Sequence, residues 1–140
     1  MPSAPVAATP ATSGAGVALG RWFSPILLAN LVLQVLIITT GGLVRVTSSG
    51  LGCPTWPQCV PGSFTPVAHQ EEGIHRIIEF GNRTLTFVLF AVAVLAVVAV
   101  WAARPRTHLK VAAVLVALGV PIQALIGGVV VLLHLHPMWV

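Results

Sequence analysis

Three long apolar runs, separated by polar stretches, set the pattern of this chain. The first, residues 25–44, has about the length needed to cross a hydrocarbon core at about 1.5 Å per residue. Pro25 sits acceptably in its first turn. The second runs over residues 73–103 and is longer than a bilayer needs, so its first two turns are expected to project into the interface. The third covers residues 111–133. Between the first two lies an outer loop, 45–72, holding Arg45, Cys53, Cys59, Trp56 and several prolines. Structureless loops of that length are uncommon unless they have a function. A short basic loop with Arg104, Arg106 and Lys110 joins the second and third runs. Residues 1–20, rich in Ala, Pro, Ser, Thr and Gly and without a charged side chain, read as a disordered tail. That tail lacks the basic start of a secretory signal. The expected organisation is a tail over 1–20 and a transmembrane domain over 21–140.

Composition sharpens the class. The chain is 56% hydrophobic and 7% charged, with mean hydropathy +0.97; soluble domains carry about a quarter charged residues. A soluble domain of this size cannot bury so much apolar surface. The fold class is therefore all-α integral membrane, with three transmembrane helices and the lipid bilayer as a partner. The net charge of +4 reflects few acids more than many bases. No basic helix or Lys/Arg run is present, which argues against a nucleic-acid partner. Arg21 and the cluster from Arg104 to Lys110 lie on one side of the spans, which the positive-inside rule assigns to the cytoplasm. Arg45, Arg76 and Arg83 lie on the other, and paired loop cysteines suit an oxidising face there. The expectation is a multi-pass protein of the cell membrane, with a cytoplasmic amino terminus and an extracytoplasmic cysteine loop.

Candidate chemistry gathers where the loop meets the second span. Cys53 and Cys59 are close in sequence, with prolines between and around them, which favours a disulfide over two free thiols. Glu72, His75, Arg76, Glu79, Asn82, Arg83 and Thr86 follow at steps of three and four, which places them on one helix face. Ionisable groups near hydrocarbon normally point into a bundle or cavity. A helix end snorkelling in headgroups explains Arg76 or Arg83 singly, but suits His75, flanked by acids on both adjacent turns, less well. Neutral imidazole binds iron axially, so His75 is the best metal-ligand candidate. Glu72 can accept a proton or steady positive charge; alternatively it complements the helix dipole. Glu79 can pair with Arg76 or Arg83. Arg45, Arg76 and Arg83 suit the carboxylates of a haem. Gly41–Gly42 and Gly127–Gly128 either let helices approach closely or leave room for a flat cofactor. His134 and His136 read as interfacial residues near the same pocket; His69 and His108 receive no role.

The motifs GGLVRVTSSGLGCPTWPQC from Gly41, EEGIHRIIEFGNR from Glu71 and QALIGGVVVLL from Gln123 resemble those of the haem A synthase family of cytochrome oxidase assembly proteins. The resemblance covers roughly residues 25–140. It implies eight transmembrane helices in two similar four-helix halves, of which these three spans are the first part of one half. It implies haem O as substrate, with a ring methyl oxidised to a formyl group and water as the oxygen source. Carried over by position, His75 corresponds to a haem-ligating histidine, Glu72 to an acid needed for the oxidation, and Cys53 with Cys59 to a loop cysteine pair. The fourth helix, expected to bring the opposite axial histidine, and the second half, expected to hold haem b, have no counterpart here. The chain therefore reads as an amino-terminal piece.

Three functions are in play. The first is an oxidoreductase, or part of one, converting haem O to haem A. The second is a membrane thiol–disulfide oxidoreductase using the exposed pair Cys53 and Cys59, against which stands the lack of a Cys-x-x-Cys or a second dithiol. The third is a non-catalytic haem-binding assembly subunit paired with a second membrane chain that supplies further helices.

Overall fold

The computed structural model describes residues 14–68, 71–103 and 106–134. The first part of the expected tail (1–13), His69, Arg104 and His136 lie outside the described residues. Among the described residues there are three helices: α1 Gly14–Val46, α2 Ile74–Ala103 and α3 Thr107–Leu132. All three are long and apolar enough to cross a bilayer. The chain is an all-α membrane fold, as its hydrophobic pattern requires.

Two boundaries differ from the sequence reading, for one physical reason. α1 begins at Gly14, inside the stretch expected as a tail, where residues 14–22 contain no proline to interrupt the backbone hydrogen bonding. Pro25 consequently stands inside the helix, where its missing N–H leaves the carbonyl four residues earlier without a helical donor. α3 begins at Thr107, one turn before the apolar run, with the Leu109 N–H bonded to the Arg106 carbonyl at 3.0 Å. A helix starts where backbone bonding starts, while an apolar run marks only where hydrocarbon starts.

α2 is the central helix. Among the described residues, α1 and α3 each pack on it and not on each other. Its packed stripe is Leu89, Ala93, Ala96, Ala99 and Val100, mostly alanines, which lets the neighbouring helices approach closely. The large apolar side chains point the other way; Phe87, at 74% exposed, belongs to a surface made for lipid. Away from the loop end, Phe23, Leu27 and Asn30 of α1 meet Ala93, Ala96 and Val100 of α2 and residues of α3 around a cavity of about 200 Å³.

At the loop end, Thr40 Oγ1 bonds the Asn82 side-chain oxygen at 2.8 Å and holds α1 to α2. Gly41 lies opposite the same oxygen, at 4.0 Å from where a Cβ would stand.

Candidate functional site

The site is built from the end of α1 outward. The helix closes in a Schellman motif: the Ser49 N–H bonds the Val44 carbonyl at 2.8 Å and the Ser48 N–H bonds the Arg45 carbonyl at 3.2 Å. Ser48 occupies the position where glycine is usual, with φ +54°. This reversal turns Thr47 and Ser49 back toward the start of α2. There the Ser49 Oγ lies 2.8 Å from His75 Nδ1 and 2.6 Å from Thr47 Oγ1.

The loop is folded against α2 by an ion pair. Glu79 is buried and takes the Cys53 N–H at 2.8 Å on Oε2. Arg83, one turn on, pairs with Glu79 through Nε and Nη2. Its other N–H groups bond the carbonyls of Thr55 at 2.8 Å, Gln58 at 3.1 Å and Cys53 at 2.9 Å. A guanidinium has five N–H donors, and these contacts occupy all of them. Arg83, expected at a haem carboxylate, is the peg on which the loop hangs in this structure.

Cys53 and Cys59 form a disulfide. Both are buried, at 0% and 1% exposed, contrary to the exposed pair that thiol exchange needs. The Glu79–Arg83 pair bonds the Cys53 N–H and carbonyl beside the bridge. Beyond the disulfide the chain reverses at Val60–Ser63, with Pro61 and then Gly62 at φ +86°, the sequence a type II turn requires. Trp56 lies on Gly128 of α3; a Cβ there would stand 2.5 Å from the indole. Gly128 is therefore a packing glycine for the loop, which decides between the two readings left open for it.

His75 is in the first turn of α2 and exposed. No described residue hydrogen-bonds its Nε2. Glu72 precedes the helix and is separated from it by Gly73 at φ +54°. Its carbonyl accepts the His75 N–H at 3.1 Å, and its Oε2 is buried without a hydrogen-bond partner. Arg76 donates to the carbonyls of Val67 at 2.6 Å and Ala68 at 3.0 Å. Arg45 is exposed in the last turn of α1. His134, exposed with φ +51°, follows α3. Among the described residues, no three histidine, cysteine or carboxylate side chains gather to hold a bare metal ion.

Three residues of the site escaped the sequence reading: Thr47, Ser49 and Gly52. A Cβ on Gly52 would stand 2.3 Å from the His75 carbonyl oxygen, so only glycine allows the loop this close. The signal was present as Thr-Ser-Ser-Gly-Leu-Gly directly after a helix end, a run of small polar residues too compact for mere linkage.

Comparison with known proteins gives a consistent result. The profile of the family described as cytochrome oxidase assembly protein, COX15-CtaA, matches residues 24–139. A heme A synthase of Halalkalibacterium halodurans is 36% identical over 99 residues, covering 68% of this chain and 31% of that protein. A heme A synthase of Lysinibacillus sphaericus is 35% identical over 120 residues, covering 80% of this chain and 35% of that protein. The chain thus spans about a third of the length of these curated relatives. No solved structure matches it. With the family profile covering most of its length and the cysteine loop folded onto α2 beside His75, this chain belongs to the COX15-CtaA family of cytochrome oxidase assembly proteins.

Proposed function

We propose that this chain is part of a haem A synthase and forms one wall of the pocket that holds haem O. The observation that carries the reading is a pair of unspent atoms on residues three apart in the chain. A haem needs an axial nitrogen with an available lone pair, and oxidation of its methyl group needs a nearby base. His75 has its Nδ1 engaged by Ser49 and no described partner at Nε2. Glu72 has a buried carboxylate oxygen with no hydrogen bond. An orphaned buried acceptor is costly, and a ligand that supplies a donor or a positive charge relieves it. The residues present therefore fit the group.

In this reading His75 Nε2 ligates the iron of haem O, and Glu72 receives a proton at Oε2 or steadies positive charge developing at the ring edge. Arg45 and Arg76 lie toward the haem carboxylates, while Arg83 stays with the loop. The family reaction is oxidation of a haem O ring methyl to formyl. The disulfide braces the loop over the pocket rather than exchanging electrons. The loop end faces the extracytoplasmic side of the cell membrane. Further helices, in the same chain or a partner chain, supply the second axial ligand, the remaining walls and any haem b.

The test is the visible spectrum of the purified chain with haem O. A Soret band of a histidine-ligated haem is expected in the native protein and is lost or shifted in His75→Ala. Identical bands in the two rule out ligation by His75. Glu72→Gln is expected to keep the band and, in an assembled enzyme, to lower turnover by roughly a hundredfold or more.

A further inference from the structure

Thr47, Ser49 and His75 form a line of three short contacts that ends on a backbone carbonyl. Thr47 Oγ1 is 2.8 Å from the Leu43 carbonyl oxygen and 2.6 Å from Ser49 Oγ, which is 2.8 Å from His75 Nδ1. Each of these distances is that of a formed hydrogen bond and needs one proton between its heavy atoms. A carbonyl supplies none, and each hydroxyl supplies one. Three contacts therefore share two hydroxyl protons, and the third proton has to come from the imidazole. The direction is then fixed from the far end. The Leu43 carbonyl accepts from Thr47, Thr47 accepts from Ser49, and Ser49 accepts from Nδ1–H.

Were Nδ1 unprotonated, one pair of atoms would face each other lone pair to lone pair at bonding distance. Ser49 has little freedom to escape this. It is 0% exposed, its N–H is held by the Val44 carbonyl at 2.8 Å, and its own carbonyl takes the Gly52 N–H at 3.0 Å. The alternative acceptor for its proton, the Thr47 carbonyl, is 3.5 Å away, too far to compete.

We infer that Thr47 and Ser49 are positioning residues that lock neutral His75 in the Nδ1–H tautomer and so keep the Nε2 lone pair pointed outward for the haem iron. An unconstrained neutral histidine side chain prefers its proton on Nε2, where it would block that lone pair. Partners at the far ring nitrogen commonly set tautomer and orientation in metal-ligating histidines. The functional half of this inference rests on the reading of His75 as haem ligand; the tautomer itself does not.

The experiment is 15N spectroscopy of the full chain, histidine-labelled, in detergent micelles at about pH 8, where imidazole is neutral, with the His75 signals assigned by their loss in His75→Gln. The expected native spectrum has Nδ1 protonated and Nε2 bare. Thr47→Val keeps the shape of the side chain and the Ser49 contact but removes the acceptor for the Ser49 proton. Ser49 then donates to Nδ1, and the His75 proton moves to Nε2. Thr47→Ser restores the hydroxyl and the native spectrum. Haem O affinity, read by Soret titration, drops roughly 10-fold or more in Thr47→Val and recovers in Thr47→Ser. A native His75 protonated on Nε2, or a spectrum unmoved by Thr47→Val, overturns the inference. Should Thr47→Val fail to fold, Ser49→Ala takes its place, with the same shift of the proton to Nε2 expected and its absence equally fatal. Failure of haem O to distinguish native protein from His75→Ala would remove the haem reading while the apo spectra still decide the tautomer.

Discussion

The two ends of the bundle are held together by different physics. At the loop end, α1, the loop and α2 are stitched by directional bonds: Thr40 to Asn82, Ser49 to His75, Cys53 to Glu79, and Arg83 to three loop carbonyls. At the opposite end the helices meet through alanines and valines around a cavity, and Asn30 is buried there with its Nδ2 unpartnered. Directional bonds fix atoms to within fractions of an ångström, whereas packing of small residues tolerates sliding. His75, the proposed haem ligand, lies at the stitched end. The opposite, looser end has an open cavity and one buried amide nitrogen without a partner.

This contrast predicts a graded series. Arg83→Ala should cost most, about 3–5 kcal/mol, since it strands the buried Glu79 charge and frees three loop carbonyls; thermal unfolding in detergent measures it, and a loss under 1 kcal/mol would show that the loop does not depend on the pair. Gly52→Ala comes next at about 3 kcal/mol, the upper end for overpacking, because the obstructing atoms belong to the α2 backbone and cannot rotate away. Its specific signature is limited proteolysis of the loop at a temperature where the native chain resists cleavage, and equal resistance would contradict the close approach. Replacing both Cys53 and Cys59 with alanine should lower stability by about 2 kcal/mol, the value for closing a short loop. If haem O binding survives that change, bracing and electron transfer are separated in favour of bracing.

Ser48→Gly should act in the opposite direction and stabilise by about 1 kcal/mol, by relieving a left-handed backbone at the end of α1. A decrease in melting temperature would show that the serine hydroxyl contributes more than its backbone costs. The smallest effect belongs to the loose end. Asn30→Leu should leave this chain within about 1 kcal/mol of the native value or raise it, because an unpartnered buried amide is replaced by an apolar side chain. A large destabilisation there would erase the distinction between the two ends.

Hydropathy and residue order alone were enough to determine that these residues form three membrane-spanning helices, and to point to the end of the loop at α2 as the place to look for chemistry. Twenty-odd apolar residues in a row have no other stable destination, and the cluster of ionisable residues at the mouth of the second span stands out against that apolar background. The cysteine pair was legible for the same reason of nearness along the chain. Only the fold decided which groups remain available. Arg83 and His75 look alike in sequence as polar residues on one helix face, yet Arg83 is consumed by carbonyls of residues 53–58 and His75 keeps one nitrogen uncommitted. Those partners come from a segment more than twenty residues away in sequence. Whether such a segment folds back depends on a left-handed Ser48, a glycine at 52 and an indole seated on Gly128. Periodicity records which face a side chain takes, but the partner that satisfies it is set by chain reversal, and that is a property of three-dimensional contact.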